Sequence, residues 1–307
     1  MPHVENPQSP LVAKLKGLHL FHFDGAPCAQ RVRFALGEKG LSRGREERFD
    51  ADSPSAVSGE SGRWVSRVVS LVKKDHMTPA YAQIHPNMVV PALVNDGELF
   101  IESMDIIDYL DQTFAGPQLI PESLPEREEA LDLTEQAKAL HLSIRYVTFH
   151  WGLGRLAMLN QKERDDLTDL ASLGSDEENL VAFYDEYSRR AIPASVFESH
   201  LMRLHSAFSE LDERLQDGRM FLVGDSLSIG DIFWAMKMPR LIETGYPLAA
   251  HHVHLQAWYE RIQARPAFQN EVMGRNRLSH RLFRVKAGIE RRLGGGLNRS
   301  LEKLLAA

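Results

Sequence analysis

Cysteine is nearly missing from this chain: Cys28 is the single one among 307 residues. An intrachain disulfide is therefore excluded, and a reducing, cytoplasmic setting is expected. Long apolar runs are missing too. No stretch nears the ~20 residues of a membrane span, and residues 1–16 hold no apolar core of signal-peptide length. Positive charge is in deficit, with 36 Lys and Arg against 42 Asp and Glu for a net charge of −6. General nucleic-acid binding, which depends on neutralising phosphates, is not expected. No Gly-x-Ser-x-Gly elbow occurs, which argues against an α/β-hydrolase. His251, His252 and His254 have no carboxylate or cysteine company at zinc spacing, so no metal is expected. Gly152-Leu153-Gly154 follows no strand and is no nucleotide loop.

What is present suits a soluble protein, with 43% hydrophobic and 25% charged residues. The length calls for two domains with extensions. Residues 1–16, with Pro2, Pro7 and Pro10, read as a flexible leader. The apolar run Leu18–Phe23 reads as a strand buried on both faces. A turn at Asp24–Pro27 follows, then a helix from Cys28 to Lys39 that Gly40 closes. A second strand is expected near Glu47–Phe49. Residues 50–83 read as an insertion: a polar part at Asp52–Ser61, then a helical pattern through Trp64, Val65, Val68, Val69 and Val72. A surface excursion is the plain reading of that insertion, and a lid or a dimer contact the alternative.

The richest stretch is Val89-Val90-Pro91-Ala92-Leu93. Proline has no N–H for a ladder, so Pro91 marks the entrance of a hairpin, and a cis bond after Val90 is expected. The hairpin turns at Asn95-Asp96-Gly97, and its second arm leads into Ile101-Glu102-Ser103. A Glu-Ser pair opening a helix offers hydroxyl and N–H donors to an anion and a carboxylate to an ammonium. Those are the groups needed to hold a small zwitterionic peptide. Gly116-Pro117 and Pro121–Pro125 read as a linker, after which helices run to about Phe268. Ser228-x-x-Asp231 has the form of a capping box.

Val90-Pro91, Glu102-Ser103 and Ser228-Ile229-Gly230-Asp231, in this order, resemble the glutathione transferase superfamily over residues 17–270. The resemblance implies a thioredoxin-like α/β domain at 17–117, followed by an all-α helical bundle domain at 122–270. It also implies a dimer, homo- or heteromeric, and glutathione as co-substrate. The Val90 backbone would pair with the cysteinyl unit, Pro91 would hold the bend, and Glu102 and Ser103 would receive the γ-glutamyl group. Such enzymes stabilise a thiolate just after the first strand, here within Asp24–Arg31. This chain departs from the tyrosine- and serine-type patterns, having Phe21, His22, Phe23 and Ala26 in the relevant places. Cys28 aligns with a cysteine of the bacterial beta class and is the candidate catalytic residue. The first helix amides and Gln30 are the alternative activators, and Cys28-x-x-Arg31 has little specificity alone.

The candidate second-substrate pocket is lined by Arg145, Tyr146, Phe149 and His150, with Trp234 and Met238 opposite. The expected reaction is attack of glutathione thiolate on an electrophilic, aromatic substrate. The long chain with an enlarged C-terminal part resembles bacterial enzymes of aromatic-compound catabolism, including the glutathione-dependent β-etherases of lignin degradation. Two alternatives stay open: a non-catalytic binding or partner protein that keeps the fold, and a Cys28-dependent thiol-disulfide reductase.

Residues 271–307 read as a basic amphipathic extension. Leu278, Leu282, Val285, Ile289 and Leu293 recur at helical spacing among Arg277, Arg281, Arg284, Lys286, Arg291 and Arg292. The stripe is expected to pack on the helical domain, with membrane contact the rival reading.

Overall fold

The computed structural model describes residues 3–152, 154, 158–171, 180–275 and 277–307. The chain divides into two compact units, one running to Ile120 and including Arg265–Arg275, the other Pro121–Ala264 with the chain after residue 276.

The first unit is a five-stranded sheet with helices. In chain order it holds β1 (Leu18–His22), α1 (Pro27–Glu38), β2 (Ser42–Arg48), β3 (Arg63–Val68), α2 (Pro79–Ala82), β4 (Ala92–Asn95), β5 (Glu98–Phe100) and α3 (Ser103–Thr113). The sheet order is β2-β3-β1-β4-β5. β1 runs parallel to β3 and antiparallel to β4, so it is central, and all five of its residues are buried. The burial of His19 and His22 along with Leu18, Leu20 and Phe21 reflects cover on both faces. β4 and β5 form the expected hairpin, with Asp96 (φ 50°) and Gly97 (φ 93°) in the left-handed region that a tight turn requires.

Three expectations are corrected here. The leader is not loose: Val12–Lys14 form a 3₁₀ turn, and Leu11, Val12 and Leu15 join the core around Phe21, Tyr81 and Leu99. Val4 N–H also donates to Leu99 O at 2.8 Å. The apolar pattern Leu11-Val12-x-x-Leu15 outweighs the nearby prolines, because its burial is favourable. The segment Trp64–Val68 is not helical but lies in β3, paired with both β1 and β2. Its apolar spacing fits either period, and Val and Trp favour the pleated form. Only Val72, 83% exposed, lies outside that packing. Finally, Arg265–Arg275 belongs to the first unit rather than to the helical domain. Phe268 meets Phe34 edge-on at 5.3 Å, Arg265 Nε donates to Glu38 at 2.8 Å, and Ala267 lies so close to Gly37 that a Cβ there would come within 2.7 Å.

The second unit is helical: α4 (Leu124–Ala139), α5 (His141–Trp151), α6 (Gln161–Ala171), α7 (Leu180–Ser188), α8 (Ala194–Arg214), α9 (Ile229–Ala235), α10 (Met238–Thr244), α11 (Leu248–His251) and α12 (Val253–Ala264). After α13 (Pro266–Phe268), which sits in the first unit, α14 (Arg277–Arg292) and α15 (Gly296–Leu305) complete it. The capping box at α9 is formed. Buried Asp231 accepts from Ser228 N–H (2.9 Å), Ser228 Oγ (2.8 Å), Leu222 N–H (2.9 Å) and Trp258 Nε1 (2.8 Å).

The C-terminal stripe departs from expectation. Leu282, Val285, Ile289 and Leu293 are 54–80% exposed, while the Leu278 side chain lies outside the described residues. Another face anchors α14: Phe283 lies against Gly152, and Lys286 Nζ donates to Trp151 O at 2.7 Å. α15 does bury Leu297 and Leu301, and its Ser300 Oγ accepts from Trp151 Nε1 at 3.1 Å. Among the described residues, no helix is long and apolar enough to cross a membrane.

Candidate active site

The loop from α2 to β4 ends in a cis Val90–Pro91 peptide, as expected. Before it, Met88 has a left-handed backbone (φ 51°), uncommon for a residue with a side chain. Fully buried Tyr81 donates its hydroxyl to Val89 O at 2.8 Å and so holds the loop from beneath. Burial pushes the Tyr81 hydroxyl pKa up, so it remains a donor. Val90 itself is free to pair: no described residue gives a hydrogen bond to its backbone or takes one. An extended ligand beside it would find both N–H and C=O available.

Glu102 is the exposed N-cap residue of α3, and Ser103, its first residue, is buried. Glu102 makes no side-chain cap to α3. Arg31 Nη1 donates to Ser103 Oγ at 3.2 Å. Cys28 and Arg31 are three residues apart on α1 and share a face, so this bond turns the Cys28 side of α1 toward the start of α3. Cys28 is half-buried in the first turn, after Pro27 at N1 and Ala26 at the N-cap. Asp24–Pro27 present no hydroxyl side chain.

A charge cluster fixes this β1–α1 loop. Arg33, with no exposed surface, donates to Phe23 O (3.3 Å), Asp24 O (3.0 Å) and Glu271 O (2.8 Å). Gln30 Nε2 adds a second donor to Asp24 O at 3.2 Å. Arg43 pairs with Glu271 Oε2 at 2.7 Å and lies over the Trp64 ring at 4.7 Å. His22 Nε2 meets Ser66 Oγ at 2.8 Å, and Arg43 reaches the same hydroxyl at 3.3 Å. Burial, with Arg33 and Arg43 beside it, pushes the His22 pKa well below 6.5 and keeps the ring neutral. Burial also lowers Arg33 to about 10, which still leaves it charged at neutral pH.

In the second unit the α5 candidates fall into one aromatic cluster, to which α7 and α8 contribute. Tyr146 stacks on His200 (4.2 Å) and meets Phe183 edge-on (4.9 Å). Phe149 meets Phe183, Tyr184 and Tyr187, and His150 stacks on Phe197 at 4.1 Å. Arg145 lies over Phe183 at 5.8 Å. Arg145, Tyr146 and Phe149 are half-buried and His150 is exposed. Trp234 and Met238 differ, being fully buried, with Trp234 near Phe208 in the helical core. Their helical spacing is that of core residues, and the structure does not open them to a ligand.

Sequence reasoning missed Tyr81, Arg33, Arg43, Glu271 and the α7 aromatics. Glu271 lies 238 residues from Arg33, and no local pattern marks such a partner. Arg31 was visible only as the last residue of Cys28-x-x-Arg31. Among the described residues, no group of three His, Cys, Asp or Glu could hold a metal.

Comparison with known proteins agrees with this layout. The glutathione S-transferase N-terminal domain family matches residues 20–118, and the C-terminal domain family matches residues 182–261. Glutathione S-transferase 1 of Dianthus caryophyllus is 27% identical, covering 71% of this chain and 74% of its own. Glutathione S-transferase 3 of Zea mays is 25% identical over 83% of this chain and 93% of its own. Among solved structures, beta-etherase LigF from Sphingobium sp. strain SYK-6 superposes with a TM-score of 0.67 at 21% identity, over 83% of this chain and 98% of that one. With both domain families matched in order on a thioredoxin-like sheet and a helical unit, the chain belongs to the glutathione transferase superfamily.

Proposed function

We propose that this protein is an enzyme that transfers glutathione to an electrophilic, aromatic substrate. The observation that carries the reading is the pairing of an unbonded Val90 backbone before cis-Pro91 with Ser103 at the start of α3, tied to α1 through Arg31. Glutathione would lie along Val90 with its γ-glutamyl end at Glu102 and Ser103. Its sulfur would then face the first turn of α1. With no hydroxyl on Asp24–Pro27, the amides at the start of α1 and the positive helix end stabilise the thiolate. The thiolate attacks carbon, a C–S bond forms, and the leaving group departs with the bonding electrons, while the thiol proton passes to solvent. Holding the two reactants together supplies much of the rate.

The aromatic cluster around Tyr146 and Phe149 supports a ring-bearing second substrate, with Arg145 beside it. Fold likeness to a beta-etherase supports a β-aryl ether, whose leaving group would be a phenolate. The half-buried Cys28 favours one second reading, thiol-disulfide exchange through a Cys28–glutathione mixed disulfide.

An ultraviolet titration of bound glutathione tests the proposal. Thiolate absorbance should appear well below the free thiol pKa of about 8.5, and Cys28→Ala should keep part of the transferase turnover. Loss of all turnover in Cys28→Ala, with a trapped mixed disulfide in the wild type, would select the reductase reading. No glutathione binding in calorimetry would remove both.

A further inference from the structure

The chain carries an overall excess of acid, yet one helix surface combines bare aliphatic side chains with arginine. Leu282, Val285, Ile289 and Leu293 are 56%, 55%, 54% and 80% exposed. At about 100° per residue they form one stripe along α14. Exposed Arg281 and Arg292 border it, with exposed Arg284 and Arg291 beyond them. The helix contains a single acid, Glu290, whose carboxylate is taken by Lys286 Nζ at 2.6 Å. The face that anchors α14 to the helical unit, through Phe283, Lys286 and Ala287, is a different one. The stripe is therefore not needed to hold the helix in place, and a sustained exposed apolar stripe marks an interaction surface.

We propose that this face of α14 docks on an anionic lipid bilayer. The aliphatic side chains would enter the boundary between headgroups and acyl chains, with the helix lying in the membrane plane. The arginines would sit at the depth of the lipid phosphates, where their charge is complemented. Charge favours this occupant over a second copy of the chain. An antiparallel two-fold pairing through the stripe would set the arginine row of one copy against the same row of the other, and a parallel one would leave both rows without an acidic partner, whereas anionic headgroups complement them. The helix is too short and too charged to span the bilayer, so the contact is peripheral.

The test uses the full-length protein and sedimentation with vesicles of phosphatidylcholine alone or mixed with phosphatidylglycerol. The protein should pellet with the anionic vesicles at low salt, be released as salt rises, and stay in solution with the neutral ones. The double variant Val285→Glu/Ile289→Glu and the double variant Arg281→Glu/Arg292→Glu should each weaken binding by at least about tenfold. All these side chains are exposed, and unchanged circular dichroism with an unchanged Tm would show that both variants fold. Absence of sedimentation with anionic vesicles overturns the proposal, as does equal binding by wild type and both variants. A wild-type dimer that Val285→Glu/Ile289→Glu converts to monomer, with no vesicle binding, also overturns it and makes the stripe a subunit interface. None of these readouts requires glutathione, so failure of the transferase reading leaves this one standing.

Discussion

Ser103 carries two tasks at one hydroxyl: it accepts from Arg31 Nη1 at 3.2 Å, and it stands at the amide end of α3. Replacing it with Ala removes an acceptor for the Arg31 cation and, in the proposed binding mode, a donor for the ligand carboxylate. A hydrogen bond to a charged group is worth about 1.5–3 kcal/mol, so Ser103→Ala should weaken glutathione binding by roughly 10- to 100-fold in calorimetry. An unchanged Kd would detach Ser103 from the binding site. At this scale the sequence was readable wherever the chemistry is local. The cis bond at Val90-Pro91 and the helix start at Glu102-Ser103 were legible because proline geometry and the place where a helix begins are properties of neighbouring residues. Tyr81, whose hydroxyl holds Val89, and Arg31, whose guanidinium reaches α3, act across space, and nothing beside them in the chain marks that reach.

Among the elements, α9 is specified most tightly. Asp231 accepts four hydrogen bonds, from its own helix start, from Leu222 and from Trp258 of α12, all out of water. Asp231→Ala would strand those donors, and we expect a loss on the order of 4 kcal/mol, read as a lower urea midpoint with unchanged slope. Asp231→Asn should lose less, since its amide oxygen keeps part of the set. A loss below about 1 kcal/mol for the alanine variant would contradict this account. Ser228-x-x-Asp231 was legible as a cap because its spacing is local. The period of Trp64–Val68 was not, because its apolar spacing also suits a helix. Pairing with β1 and β2, which no local window contains, decides for a strand. Likewise the amphipathic period of α14 was plain in the sequence, whereas which face the helix would bury depended on Gly152 and Trp151, far upstream.

Across the whole molecule the defining connection is the return of Arg265–Arg275 to the thioredoxin-like unit. Glu271 supplies a carboxylate to Arg43 and a carbonyl to Arg33, both largely out of water. Removing one partner of a buried charge pair typically costs about 3–5 kcal/mol. Glu271→Ala should therefore fall toward the lower end of that range, since Arg33 keeps the Glu271 and Asp24 carbonyls. Hydrogen exchange should speed up in β1 and β3 of the first unit. Equal acceleration in α8 and α9, with β1 unchanged, would refute the assignment of this segment to the sheet unit. The two-unit plan itself was readable from the strand-helix-hairpin order and the helical second half, but the return segment was not, for its partners lie more than two hundred residues away. That separation matters during synthesis. Chains emerge from the ribosome N-terminus first and domains usually fold as they appear. Here the sheet unit is begun first but can be finished only after α12 has been made. Until then a nascent chain carries Arg33 and Arg43 without Glu271, an unfinished surface for chaperones to hold until the last part of the message is read.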